Sequence, residues 1–267
     1  DCSEEEYFAD DFHESNSRLS DFRHSIPGYY GKYISKEIPG KQTKSMDFGS
    51  AFHAALLTPE LYKNQFVVGP PWNKNTNKYK EWAAKHEHYT ILDAADEGRI
   101  ISMMESVANN TEARRLLALQ GWPEQAIRWQ DKETGIWLKC KIDYLPDSES
   151  VIVDVKTCAD PNPEEFARSC GQLDYECQGA LYMDAMLDLT GNEHKYYHIA
   201  VGMHAPYECI VYQLDDEAIS LGRQKNAAAL RRLKDCRDTE SWASPYADRI
   251  VTIGLPRWAF NRSPAGW

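Results

Sequence analysis

Several things are missing from this chain of 267 residues, and each absence removes a class of protein. Seven cysteines are present, at positions 2, 140, 158, 170, 177, 209 and 236, but no two form a C-x-x-C pair. Zinc and iron–sulfur sites built on that spacing are therefore excluded. The count is odd and several cysteines fall in predicted strands or helices, so reduced thiols and a cytoplasmic location are expected. No apolar run is long enough for a membrane helix, and no signal-peptide pattern is visible, so no membrane association is expected. The phosphate-cradling G-x-x-x-x-G-K-[ST] loop is absent, as are internal repeats and low-complexity tracts. Positive charge is also scarce: 30 Lys and Arg stand against 41 Asp and Glu, a net charge of −11. A nucleic-acid binder usually carries a basic footprint. Such a role would here need bound cations or local clusters, of which there are two. One holds Lys74, Lys78, Lys80 and Lys85, and the other Arg223, Lys225, Arg231, Arg232 and Lys234. Each is equally well read as a solvated helix face.

What is present is ample for one large domain with a sizeable core. Residues 1–17 are acidic and polar and are expected to be loose, leaving 18–267 as a single domain. A short helix, a break at Pro27-Gly28 and a second helix are expected over 18–34. Asp47 is placed as the N-cap of a helix from Phe48 to Leu57. In that helix Gly49 and His53 share a face, small Gly49 admitting a neighbouring backbone beside His53. A lone histidine there can equally be a satisfied core residue. Residues 58–90, rich in Pro, Asn and Lys, read as a long connection. One or two amphipathic helices follow over 93–119, then strands at 125–129, 136–145 and 151–157. A helical region runs from Pro161 to Leu189, strands follow at 195–203 and 208–214, and a helix extends to Asp235. Leu255 to Trp258 are expected to pack as an irregular tail. The sum is a central mixed sheet flanked by helices, with strand 195–203 parallel to 151–157.

The stretch from Lys139 to Thr157 organises the rest. A turn at 146–150 joins two strands, and alternation in the second puts Val151, Val153 and Val155 on one face. Ile152, Asp154 and Lys156 take the other. Asp154 and Lys156 then lie about 7 Å apart along the strand, with Asp143 able to sit beside them. Carboxylates at the edge of an apolar sheet are costly unless compensated. A divalent cation between the two Asp, with Lys156 beside an attacking water, would compensate all three. On this reading Asp143→Ala and Asp154→Ala should each leave the fold intact, because a repulsive pair is relieved.

Gln178 and Tyr182 lie four apart on the following helix. Four elements thus occur in order: Gly-Ser-Ala-Phe-His53, Lys-Ile-Asp143, Asp154-Val-Lys156 and Gln178-x-x-x-Tyr182. That set resembles the RecB-type branch of the PD-(D/E)xK nucleases. The resemblance is closer to nuclease domains of the exonuclease VIII (RecE) type. It rests on Leu-Ser-Asp-Phe near the start, Ser25-Ile-Pro-Gly-Tyr-Tyr30, Met46 to Glu60, and Val153 to Asp160, and covers most of the chain. It implies a PD-(D/E)xK fold and a Mg²⁺-dependent, ATP-independent exonuclease on double-stranded DNA ends. Cleavage would run 5′ to 3′ and leave a 3′ overhang for a single-strand annealing partner, and relatives form a toroidal tetramer. Asp143 and Asp154 would be direct metal ligands, joined by the Val155 carbonyl and His53, with Mn²⁺ able to substitute. Lys156 would orient or deprotonate the attacking water. Gln178 and Tyr182 would position Lys156 or the scissile strand, and Glu124 is a further candidate carboxylate. An endonuclease of the same fold, a non-catalytic DNA-binding scaffold and an RNA-processing enzyme are the alternatives.

Overall fold

The computed structural model describes residues 4–40, 43–256 and 260. After α1 (Glu4–Ala9) and α2 (Asn16–His24), α3 (Ile26–Tyr29) runs into a π-helical turn over Tyr30–Ile34. Then follow α4 (Lys44–Leu57), α5 (Pro59–Gln65), β1 (Phe66–Val68), α6 (Asn77–Lys85), β2 (Thr90–Leu92), α7 (Ala94–Asn109) and α8 (Thr111–Ala118). The sheet strands are β3 (Gly121–Gln130), β4 (Trp137–Pro146), β5 (Val151–Cys158), β6 (Lys195–Gly202) and β7 (Cys209–Gln213). Between β5 and β6 lie α9 (Pro163–Leu173) and α10 (Tyr175–Thr190), and α11 (Asp216–Thr239) follows β7.

The five strands lie side by side in chain order, antiparallel except for the β5–β6 pair. A parallel pair needs a long crossover, and α9 with α10 supply it. The alternation of β5 separates two cores. Ile152 joins Leu138, Cys140 and Ile142 of β4 against α2, α10 and α11, with Leu19, Leu181 and Leu233. Val151, Val153 and Val155 face α4, α7 and α8, with Phe52, Met103 and Leu116. Gly222 lets α11 cross α10 closely, since a Cβ there would strike the Glu176 carbonyl. The six described cysteines are free thiols and buried, and Cys2 lies outside the described residues. Among the described residues no helix is long and apolar enough to cross a membrane.

Several expectations are corrected. The residues from Tyr7 to Ser17 are not loose. Buried Glu14 bridges to Leu138, and its carboxylate accepts from Arg18 at 2.9 Å, Tyr29 at 2.7 Å and Arg237 at 2.6 Å. Lys139 donates to the Tyr7 and Asp10 carbonyls, both at 2.6 Å. An acidic segment that looks solvated alone finds cations on the body of the fold. The break near residue 27 falls at Ser25, whose side chain caps α3, while Pro27 sits in the first turn, where its missing N–H is harmless. Thr43, not Asp47, caps α4. Beside Gly49 lies the Thr157 side chain at ordinary van der Waals distance, and among the described residues no neighbouring backbone comes close there. The connection over 58–90 holds α5, α6 and the small parallel β1–β2 sheet. Trp122 and Pro123 lie within β3, an edge strand, where a proline is tolerated. The helical region after Pro161 is broken by Asp174, in the left-handed conformation at φ 55°. At the C-terminal end Leu255 is exposed and not packed, and Arg257 and Trp258 lie outside the described residues.

Candidate active site

The site opens where β4 and β5 part. One registered pair, Tyr144 with Val153, joins the two strands. Beyond it the Val155 amide donates to Asp143 Oδ2 at 2.7 Å. A side-chain carboxylate here takes the place that a partner strand's carbonyl would hold. That exchange draws Asp143 in beside the Asp154-Val155-Lys156 run.

Asp154 is fully buried and held at both oxygens. Oδ1 accepts from Lys156 Nζ at 2.7 Å and Gln178 Nε2 at 2.9 Å, and Oδ2 lies 2.9 Å from His198 Nδ1. Burial alone would push this carboxyl up. Lys156 and His198 outweigh burial and hold it well below the usual carboxylate range. Asp143 goes the other way: burial, reinforced by the charge of Asp154, pushes it up to about 7 against Lys156 and the Val155 amide. Burial acts to lower Lys156, but Asp154 and Asp143 overcome it and hold the ammonium form. Lys156 is thus suited to orienting water and offsetting charge, and unsuited to deprotonating water while both carboxylates are free to hold it.

His53 Nδ1 lies 3.6 Å from Asp143 Oδ2. Burial and the nearby Lys156 lower its pKa, against Asp154, Glu124 and the Val155 carbonyl. The neutral imidazole that results is the form that binds metals. Glu124 faces Asp143 across the β3–β4 ladder, between the registered pairs Pro123–Tyr144 and Gln125–Ile142. Its backbone stands at φ 54°, a strained conformation for a non-glycine residue and one that concentrates at functional sites. Burial pushes its carboxyl up despite the ion pair with Lys141. Donor atoms of His53, Glu124 and Asp143 all lie within 4.8 Å of one another, on a cavity of about 210 Å³ shared with Ser50 and Lys141. Two hard oxygen donors and a neutral imidazole, around a carboxyl that burial leaves poorly compensated, fit one divalent cation.

Each residue expected from the sequence can now be placed. Asp143, Asp154, Lys156 and Gln178 meet, with Gln178 bonded to Asp154 rather than to Lys156. His53 reaches Asp143, and Val155 faces the site with both its amide and its carbonyl. Tyr182 is buried and lines a second cavity of about 430 Å³ with Lys156, Gln178 and Phe8. The sequence reading missed three residues. His198 grips Asp154, Lys141 pairs with Glu124, and the Tyr175 ring lies 4.9 Å from Lys156 Nζ. Alternation could have marked Lys141 as sharing a face with Asp143, whereas His198 needed the β5–β6 register. The basic clusters are largely spent within the chain. Lys74 pairs with Asp93, Lys225 with Asp174 and Glu176, Arg223 with Asp184, and Arg231 with Glu133.

A five-stranded mixed sheet flanked by helices, with the D…D-x-K residues where two strands part, defines a PD-(D/E)xK-type domain. Residues 15–249 match the family described as a PDDEXK-like domain of unknown function (DUF3799), and the chain belongs to that family. Among solved structures, a protein from Eubacterium rectale provisionally named an exonuclease has a TM-score of 0.68. It is 12% identical, over 98% of this chain and 98% of its own, and it shows the shared fold. A phage-related exonuclease from Haemophilus somnus 129PT aligns at a TM-score of 0.33 and 14% identity, over 83% of this chain and 95% of its own. An alkaline exonuclease from Laribacter hongkongensis aligns at 0.32 and 13%, over 89% and 97%. Both of these superpose only loosely. A search of curated proteins gives no match.

The raised Asp143 pKa has a consequence for stability. A carboxyl whose folded pKa lies above its unfolded value of 3.8 adds stability that is fully present below that value and lost as pH rises through about 7. In EDTA, Asp143→Asn should therefore be more stable than the parent at pH 8, by up to about 4 kcal/mol for a shift from 3.8 to about 7 at 1.36 kcal/mol per unit. The gap should close as pH falls from 7 to 4. Urea unfolding across that range checks it, and a gap that does not change with pH counts against the assignment.

Proposed function

We propose that this protein is a divalent-metal-dependent nuclease that hydrolyses linear double-stranded DNA from its ends. The observation that carries the reading is the juxtaposition of two units. One is the donor group His53, Glu124 and Asp143, and the other is Asp154 locked to Lys156. Mg²⁺, or Mn²⁺ in its place, would be held by Asp143, Glu124 and His53, with Asp154 and the Val155 carbonyl completing the set. The cation, when bound, supplies charge stabilisation at the phosphate and leaving oxygen. The protein's own part is positional. The Lys156 ammonium orients the attacking water and offsets phosphate charge, Gln178 fixes Asp154, and Tyr182 walls the cavity beside Lys156. ATP has no role in this scheme.

Attack at ends, 5′ to 3′ polarity, a 3′ overhang handed to an annealing partner, and a toroidal tetramer rest on the resemblance to exonuclease VIII-type domains. Enclosure fits the charge pattern, since affinity grows with the number of phosphates neutralised and most cations here already serve internal carboxylates. Linear duplex labelled at either the 5′ or the 3′ end, with Mg²⁺ and without ATP, is the test. Early release of 5′ label, abolished by EDTA and absent with closed circular DNA, is expected. Cutting of closed circles would make the protein an endonuclease, and binding without cutting would leave only a scaffold.

A further inference from the structure

We infer that His198 is a positioning residue for Asp154, one that sets how the carboxylate is presented to a bound divalent cation. The inference deepens the proposed function and rests on its placing of Asp154 at the metal. β5 and β6 run parallel with Asp154 in register with His198, so both side chains leave the same face of adjacent strands. His198 Nδ1 then meets Asp154 Oδ2 at 2.9 Å. A carboxylate oxygen facing a ring nitrogen assigns the proton to that nitrogen. The imidazole is fully buried and boxed by Phe166, Tyr175 and Tyr196, with ring centroids 5.6, 5.6 and 5.1 Å away.

Packing does not account for a histidine here. Its Nε2 is buried, and nothing among the described residues partners it. Leaving such an atom unpaired costs about 1–3 kcal/mol, a cost an apolar side chain in the same aromatic box would avoid. Among the described residues, the one polar contact the side chain makes is with Asp154. That contact also completes a division of labour on the carboxylate. Lys156 and Gln178 both take Oδ1, and His198 engages Oδ2, so its contact fixes the second oxygen and with it the rotation of the carboxylate. A metal-ligand partner that acts in this way is commonly worth 10–100-fold in metal affinity.

The test compares His198→Leu with His198→Asn, whose side-chain amide keeps a donor near the Nδ1 position. Mn²⁺ binding is measured by titration calorimetry without DNA, alongside thermal melting and steady-state kinetics on linear duplex. His198→Leu should bind Mn²⁺ 10–100-fold more weakly and lose kcat with little change in KM, while still melting cooperatively as a folded protein. His198→Asn should recover most of the Mn²⁺ affinity. Parent-like Mn²⁺ binding by His198→Leu overturns the proposal, as does His198→Asn binding no better than His198→Leu. If His198→Leu fails to fold, the Asn variant alone decides: weak Mn²⁺ binding in a folded His198→Asn protein also overturns it. If the parent binds Mn²⁺ but cuts no DNA, the nuclease reading fails. The His198 assignment then still stands or falls on the Mn²⁺ data.

Discussion

Asp154→Ala is expected to abolish DNA cleavage and also to destabilise the protein by about 3–5 kcal/mol, the usual cost of breaking one side of a buried ion pair. The structure separates the two aspartates that the sequence pairs as equals. Asp154 is compensated by Lys156, Gln178 and His198 and is held ionised. Removing it strands a lysine and two polar groups in a nearly dry site. Asp143, by contrast, has its carboxyl pushed up by burial and by Asp154, so its removal relieves strain. An unchanged fold is therefore expected for Asp143→Ala alone. Urea unfolding of the two alanine variants at pH 8 in EDTA provides the comparison. Equal stabilities would contradict this account of the charge network.

Lys156→Ala should lower kcat by about 10²–10³, the scale seen when one positioned donor is lost. Affinity for duplex ends should change little. Lys156 is held as an ammonium by Asp154 and Asp143 and flanked by the Tyr175 ring, with its side chain 16% exposed. Its charge is therefore directed inward at the reacting atoms and not outward at the DNA backbone. Asp154 keeps Gln178 and His198 in the variant, so the stability loss should be smaller than for Asp154→Ala. Single-turnover rates with end-binding measured in Ca²⁺ separate the two effects. Cleavage at the parental rate would remove Lys156 from the mechanism.

Local pattern alone carried much of this molecule. Period-two alternation set the faces of β5, the polar turn at 146–150 joined it to β4, and amphipathic patterning marked α7 and α8. The same alternation put Asp154 and Lys156 on one face, and helical spacing put Gln178 on the face that turns inward. Signals that depend on a distant partner were not legible. The segment from Tyr7 to Ser17 reads as solvated until Lys139, Tyr29 and Arg237 arrive to meet it. Residues 58–90 read as a connection because β1 and β2 are only three residues long and exist by pairing with each other.

Sequence by itself determined which residues carry chemistry and which face of β5 presents them, because side-chain direction in a strand is fixed by covalent geometry. Tertiary structure decided what those residues do to one another. The parting of β4 from β5 sends the Val155 amide to Asp143, and the ladder with β3 sets Glu124 opposite it. Register with β6 brings His198 to Asp154. Each of these contacts joins positions between 12 and 44 residues apart, through strand pairings whose offset no local pattern encodes. The charge each carboxyl bears follows from burial and neighbours that exist only once the sheet has formed.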